Sequence, residues 1–161
     1  MKKVLLAVLC STLLFTSCKE EAKIDISYEK TLMDKHWVLT DLKNNPNVNV
    51  STNTWTSTFG SVAPCLKDNR WFFKSTSDLS IDEYWTKCTS SAPDVANVFY
   101  VIQSENYIKI YTNKSNVDGS ILVKGDFKMV DVNTFTIDER KQGTTAAITI
   151  SNIYTYKKQL Q

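Results

Sequence analysis

Apolar and polar side chains alternate along most of the chain after residue 34. In the segment 106–112, Ile108 and Ile110 fall on one face, opposite two tyrosines and a lysine. Alternation with a period of two indicates an antiparallel sheet that covers a single core with one face and meets solvent with the other. Together with enrichment in Val, Ile, Thr and aromatic residues, it predicts eight strands, at 35–42, 70–75, 79–86, 95–102, 106–112, 120–131, 134–139 and 145–156.

The final predicted strand has the same two-faced pattern. Its apolar face holds Ile148, Ile150 and Tyr154, and its solvated face holds Thr149, Ser151 and Thr155. Before the first strand, the residues from 27 to 33 favour one short helix with Ser27 as its cap. No other part of the chain has the amphipathic pattern that a helical domain needs.

Glycines mark the predicted connections. Asp118-Gly119 and Lys141-Gln142-Gly143 are typical of hairpin turns in which glycine adopts a positive φ, and Gly125 predicts a bend or bulge within a strand. Short connections make sequence neighbours into sheet neighbours, and closing the sheet removes its two exposed edges. We therefore predict an all-β fold, an eight-stranded antiparallel up-and-down barrel with a short N-terminal helix.

One long segment, 43–69, does not alternate. A connection of this length usually has a function or structure of its own. Trp55 and Phe59 lie four residues apart in it, so they could share one face of a helical turn. They could equally form a lid over one end of the barrel, and the sequence leaves both interpretations open.

Composition limits the partners. The chain has 161 residues, which fits one domain, with 19 basic and 17 acidic side chains. If residues 1–17 are removed, Lys2 and Lys3 leave with them, and 17 basic residues face 17 acidic ones. Such a balance lacks the basic excess typical of nucleic-acid binding, so we expect no nucleic-acid partner. We also expect a monomer.

The first residues have the pattern of an export signal. Lys2 and Lys3 precede an apolar run, 4–15, of about 12 residues, whereas a membrane span needs about 20. Phe15-Thr16-Ser17-Cys18 then resembles the lipobox of bacterial lipoproteins. The resemblance implies a signal peptide at 1–17, acyl chains such as palmitate on Cys18, a lipidated tether at 18–29 and a folded domain at 30–161. The alternative is an ordinary signal peptide cut elsewhere, with Cys18 left as a thiol.

The residues after Cys18 bear on location. Lys19-Glu20-Glu21 resembles the surface-export signal of lipoproteins in the Bacteroidota. The resemblance implies an outer-membrane lipoprotein exposed at the cell surface, held to the membrane through the lipid on Cys18. A periplasm-facing outer-membrane anchor is the alternative.

Two cysteines remain in the predicted domain. Cys65 and Cys88 form an even pair in an exported chain, which predicts a disulfide. A zinc site would need four ligands, and His36 is the only histidine. We therefore expect no metal site, and no motif indicates a cofactor.

Several motifs in the domain occur together in a known family. Their order resembles the lipocalin-like lipoproteins of the Bacteroidota over roughly residues 30–157. The resemblance implies an eight-stranded lipocalin-like barrel with a calyx, a Cys65–Cys88 bridge and a small apolar ligand. The residues that carry it are Trp37 in the first strand, the run Pro64-Cys65-Leu66-Lys67-Asp68-Asn69, the aromatic strand Trp71-Phe72-Phe73, and Trp85-Thr86-Lys87-Cys88.

Signatures of catalysis are weak. His36 stands beside Trp37 at a strand start, where a role at the surface or barrel end is the better interpretation. Asp82-Glu83 and Asp138-Glu139 are adjacent within predicted strands, so each pair points to opposite faces and cannot form a two-carboxylate site. The chain has no glycine-rich phosphate loop. We expect a protein that is not an enzyme.

Aromatic residues make up 11% of the chain and are the main candidates for binding. They could fill the core, or they could line a cavity for a small hydrophobic ligand. The first predicted function is therefore ligand binding inside the barrel. The alternative is a non-catalytic module with a filled barrel that contacts a protein or glycan. The candidate ligand-binding residues are Trp37, Trp55, Phe59, Phe73, Tyr84 and Tyr107.

Overall fold

A computed structural model describes residues 28–103, 106–145 and 147–160. The predicted signal peptide, Cys18, most of the tether and Ser27 as a helix cap lie outside this range. Within it, no helix is both long enough and apolar enough to cross a membrane.

The described chain is mostly β-structure. Two 3-10 turns, Phe59–Ser61 and Asp118–Ser120, lie in the connections. The remaining elements are α1 (Tyr28–Leu32), β1 (His36–Asn45), β2 (Thr56–Ser57), α2 (Pro64–Lys67), β3 (Arg70–Phe73), β4 (Asp78–Asp82), β5 (Val95–Gln103), β6 (Tyr107–Tyr111), β7 (Ile121–Asp131), β8 (Thr134–Gln142) and β9 (Thr149–Lys158).

Eight of the strands form a closed barrel. Strands β3 to β9 pair with their sequence neighbours, β1 pairs with β3, and β1 also pairs with β9. All of these pairings are antiparallel. The two-residue strand β2 pairs with β1 outside the barrel. The predicted eight-stranded antiparallel barrel and its short N-terminal helix are therefore confirmed.

Strand β1 contains a bulge that controls which side chains face inward. Its register with β9 shifts between Leu39 and Asp41, so Thr40 has no partner residue. The Thr40 hydroxyl donates to the carbonyl of Thr155 at 3.2 Å. Because one extra residue reverses the alternation, Leu42 faces inward instead of Asp41.

The core lies in the half of the barrel next to α1. Leu32 of α1 is fully buried, and the indole Nε1 of Trp37 donates to its carbonyl at 3.0 Å. Tyr28 packs edge-on against Phe127, with ring centroids 5.5 Å apart. The helix thus closes this end of the barrel. The core residues, all buried, are Leu32, Trp37, Leu39, Trp71, Phe73, Leu79, Val98, Tyr100, Ile108, Ile110, Phe127, Met129, Phe135, Ile137 and Tyr156.

The prediction that hairpin glycines take a positive φ is wrong. The only positive φ values among the described residues belong to Asp34 (59°) and Asn106 (61°). The β6–β7 connection is longer than two residues and ends in a 3-10 turn, where the Gly119 N–H donates to Asn116 Oδ1 at 3.1 Å. A long connection does not need the tight turn that requires a positive φ.

The expected solvated face of the last strand is also partly wrong. Ser151 is fully buried, and its hydroxyl forms a hydrogen bond with Asp138 Oδ1. A small hydroxyl side chain can be buried on the outer face of the sheet when a neighbouring carboxylate satisfies it. The strand itself also begins later than expected, at Thr149.

Gly125 is required for a close approach of two strands. The register of β7 is regular at Gly125. It shifts between Ile110 and Tyr111 in the β6–β7 pairing and between Met129 and Asp131 in the β7–β8 pairing, so the bulges of β7 lie at other residues. A Cβ added at Gly125 would lie 2.4 Å from the backbone oxygen of Asp138. Of the predicted bend or bulge at this residue, the bulge is therefore wrong, and close backbone packing explains the glycine.

The predicted disulfide is confirmed. Cys65 and Cys88 are bonded, with their Cα atoms 5.1 Å apart. Cys65 lies in α2, and Cys88 lies in the connection between β4 and β5. The bond therefore fastens the end of the long 43–69 segment to a neighbouring connection at the same end of the barrel.

We predict that Gly125→Ala destabilises the fold by about 1–3 kcal/mol, because its methyl group would overlap the backbone of β8. The free energy of unfolding is measured by urea denaturation. Gly60→Ala is the matched control, since a Cβ at Gly60 meets nothing within 4 Å. Equal effects of the two substitutions would contradict the close-approach explanation.

We also predict that reduction of Cys65–Cys88 lowers the melting temperature. The closed loop of about 24 residues contributes up to about 3.5 kcal/mol on the chain-entropy model. Thermal unfolding is followed with and without reductant, and a double Cys65→Ala, Cys88→Ala variant is the control that reductant should not affect. An unchanged melting temperature in the parent protein would refute the stabilising role.

Candidate functional site

The two ends of the barrel differ. The connections β1–β3, β4–β5, β6–β7 and β8–β9 lie at the end that we call the mouth. The other end carries α1, where Met33 forms an isolated bridge with Phe73; we call it the closed end. The long connections and the disulfide are therefore both at the mouth.

Side chains fill the barrel toward the closed end. Phe135 contacts the rings of Trp37 and Phe127, with centroids 5.0 and 5.4 Å away, and lies 6.1 Å from Phe73. All four rings are exposed by 2% or less. Trp37 and Phe73, two of the predicted ligand-binding residues, are thus fully buried residues of the core.

An apolar cleft lies nearer the mouth. Its volume is about 360 Å³, toward the lower end of the range for small-molecule sites. One wall consists of inward residues of β1 and β9, and the other of the segment 58–66. We call it the mouth cleft, and the residues that line it are Leu39, Leu42, Thr58, Ser61, Val62, Ala63, Leu66 and Tyr154.

The segment 58–66 forms the lid of this cleft and is fastened at both ends. At its start, the backbone N–H of Thr58 donates to the carbonyl of Leu42 at 2.7 Å, and β2 pairs with β1 immediately before it. At its end, the disulfide holds Cys65. Lys67 Nζ also donates to the Gly60 carbonyl at 3.1 Å. The 43–69 segment thus contains a lid formed by residues 58–66, which includes Phe59 but not Trp55.

Polar side chains face inward on the mouth side of the cleft. Glu139 is 9% exposed and accepts a hydrogen bond from the Tyr154 hydroxyl at 3.2 Å. Lys141 Nζ lies 2.9 Å from the same carboxylate oxygen. Asn44 Nδ2 donates to Asn152 Oδ1 at 2.9 Å, and Asn152 is directly opposite Glu139 in the β8–β9 register. We call these five residues the polar mouth cluster.

Burial fixes the protonation of Tyr154. Burial, followed by the nearby negative charge of Glu139, raises the pKa of Tyr154 to about 12. The hydroxyl is therefore protonated at neutral pH and can act as a hydrogen-bond donor. Burial also raises the pKa of Tyr156, which stacks on Phe135 in the core at 4.9 Å.

Two further predicted ligand-binding residues lie in the 43–69 segment. Phe59 opens the 3-10 turn of the lid, packs partly against the core and has Lys67 Nζ 5.0 Å from its ring centroid. Trp55 precedes β2 and is 42% exposed. Neither side chain lines the mouth cleft. Since β2 separates the two residues, no helical turn joins them.

The last two candidates lie elsewhere. Tyr84 follows β4, is 40% exposed and packs against Trp85 with centroids 4.5 Å apart. Tyr107 is half-buried on β6, on the opposite face to the fully buried Ile108. The structure therefore does not bring the six candidates together, and none of them is among the described residues that line the cleft.

Sequence reasoning missed the residues that do form the site. Leu39 and Leu42 are apolar residues of the first strand, but the bulge at Thr40 conceals their common face. Glu139 continues an inward series after Phe135 and Ile137. A charged residue at a core position of an otherwise apolar face is the signal that could have found it.

Other candidate chemistry is dispersed. His36 stacks on Phe72 at the closed end, with ring centroids 5.0 Å apart. Asp138 bonds to Ser151 outside the barrel while Glu139 faces inward, so the predicted opposite orientation of this pair is confirmed. The described part of the chain contains no group of three or more histidine, cysteine or acidic side chains arranged to hold a metal ion.

The chain was compared with protein families, curated proteins and solved structures. No family model matches the chain, and neither the curated proteins nor the solved structures contain a match. Membership of the lipocalin-like lipoproteins therefore stays a prediction. Since a fold alone does not specify a function, the function of this barrel depends on the mouth cleft and the residues around it.

Proposed function

We propose that this protein is a lipocalin-like lipoprotein that binds a small hydrophobic ligand in the mouth cleft, and that it acts as a binding protein rather than an enzyme. The observation that carries the proposal is the cleft itself, a space of about 360 Å³ between the barrel wall and the lid. Its lining is mainly apolar, with a few polar groups nearby that can orient a ligand.

The position of the cleft supports the proposal. An eight-stranded barrel is only wide enough to be filled by side chains or to hold one small ligand. Here the aromatic core fills the closed end, whereas Leu42 and Tyr154 at the mouth face open space below the lid. The lid is held by β2 and the disulfide, so the cleft has a defined shape before any ligand enters. A preformed site avoids part of the ordering cost of binding.

We further propose that acyl chains on Cys18 anchor the protein to the outer membrane, with the domain at the cell surface. This part of the proposal is supported by the lipobox-like Phe15-Thr16-Ser17-Cys18 and by Lys19-Glu20-Glu21. More than one acyl chain on a single cysteine gives stable anchoring without a membrane span. A periplasm-facing anchor is the alternative.

A second function, contact with a protein or glycan, is favoured by one exposed feature. Trp85 is 78% exposed and packs on Tyr84, whose ring centroid lies 3.1 Å from the guanidinium carbon of Arg70. The disulfide at Cys88 ties down the same connection. Exposed aromatic side chains held in place are typical of contact surfaces.

We predict that Val62→Trp, in a full chain that also carries Cys18→Ser, weakens binding of an apolar fluorophore at least about tenfold, because the indole fills the cleft. Binding is measured by fluorescence titration, and bound ligand is sought by native mass spectrometry. Val132→Trp is the matched control, since Val132 is 56% exposed in the β7–β8 turn at the closed end.

The outcomes separate the two functions. Loss of binding in Val62→Trp alone, with its melting temperature retained, supports a ligand in the cleft. If the parent chain takes up no fluorophore and carries no ligand, the binding function is rejected. A Trp85→Ala variant that loses binding to cell-surface glycans or proteins would then favour the second function.

We predict that Cys18→Ser moves the protein from the membrane fraction to the soluble fraction, because no acyl chain can be attached without the thiol. Fractionation and immunoblotting measure the distribution. Protease treatment of intact cells expressing the parent chain tests surface exposure, with a known periplasmic protein as the control. Membrane attachment of the serine variant would contradict the lipid anchor.

A further inference from the structure

The polar mouth cluster contains a buried carboxylate with a free side. Glu139 Oε2 accepts a hydrogen bond from the Tyr154 hydroxyl at 3.2 Å and lies 2.9 Å from Lys141 Nζ. Its other oxygen, Oε1, accepts no hydrogen bond from any of the residues that the structure describes. That oxygen can accept one more hydrogen bond, and a charged donor forms the stronger bond with a carboxylate.

This carboxylate lies next to the cleft. Tyr154 belongs to both, since its side chain lines the cleft and its hydroxyl reaches Glu139. In the sheet, Leu42 is opposite Tyr154, and Asn152, one inward position closer to the mouth, is opposite Glu139. Glu139 does not itself line the cleft, so a ligand reaches its carboxylate only by extending past Tyr154 toward the mouth.

The charges of the polar mouth cluster disfavour an anionic head group next to Glu139. Glu139 is buried, while Lys141, its only cationic partner among the described residues, has a side chain that is 59% exposed. Solvent screens the exposed ammonium more than the buried carboxylate. The Tyr154 hydroxyl already donates its hydrogen bond to Glu139. A ligand carboxylate would therefore gain no donor from Tyr154 and would meet the negative charge of Glu139.

We propose that the ligand of the mouth cleft carries a hydrogen-bond-donating head group, an amine or a hydroxyl, at the end that meets Glu139, and is not a free fatty acid. This inference rests on the proposed ligand-binding function. It adds the chemical class of the ligand, and an ammonium gains most because it adds opposite charge to the hydrogen bond.

Three probes with the same ten-carbon chain test the inference: decylamine, decanol and decanoate. Each is titrated by calorimetry into the full chain carrying Cys18→Ser, at pH 7 and below micelle-forming concentrations. We expect decylamine to bind about tenfold more tightly than decanoate, with decanol between them.

Two substitutions on one strand should have opposite effects. Glu139→Gln keeps an acceptor for Tyr154 but removes the charge, so decylamine should bind about tenfold more weakly while decanol changes little. Lys141→Gln removes the competing cation, so decylamine should bind more tightly. Arg140→Gln is the matched control. It removes one positive charge, as Lys141→Gln does, but Arg140 points outward to Asp126 and Asp138.

The results separate this inference from the function on which it rests. Decanoate that binds as tightly as decylamine, or a Glu139→Gln variant that retains full decylamine affinity, would overturn the head-group assignment while leaving a hydrophobic site in place. If none of the three probes and no apolar fluorophore binds, the ligand-binding function itself is rejected. Decanol affinity and melting temperature show that each variant remains folded.

Discussion

The pairing of β1 with β9 is the constraint on which the rest of the structure depends. It runs from Trp37 opposite Lys158 to Asn45 opposite Ser151 and joins the two edges that an eight-stranded sheet would otherwise expose. Closure satisfies the backbone groups of both edges and fixes the width of the interior. Once that width is fixed, every inward side chain competes for one limited volume.

That volume is divided along the axis of the barrel. Large rings occupy the closed end, where Phe135 is in contact with Trp37, Phe127 and Tyr156. Toward the mouth the inward residues become leucines, then Glu139 and Asn152. The space that the rings leave free is covered by the lid rather than by the barrel wall. The cleft is therefore a product of the connection between β1 and β3 as much as of the sheet.

The fold was predictable because alternation records the pleat of each strand. Ile108 and Ile110 are buried as their spacing indicates, and the eight predicted strands correspond to the eight strands of the barrel. The site was not predictable, because it depends on a bulge that exchanges the inward-facing and outward-facing positions of β1. Without the bulge at Thr40, the alternation begun by Trp37 and Leu39 would direct Asp41 inward. Local sequence does not reveal a bulge that a distant strand, β9, imposes through pairing.

The adjacency of β1 and β9 also gives the barrel a direction. The Gln159 N–H donates to the His36 carbonyl at 2.8 Å, so the chain reaches the first strand and leaves the last one at the same end, opposite the cleft. The segment before Tyr28 therefore joins the barrel at its closed end. If the protein is held by that segment, its mouth faces away from the point of attachment. A ligand can then enter and leave the mouth with the least obstruction.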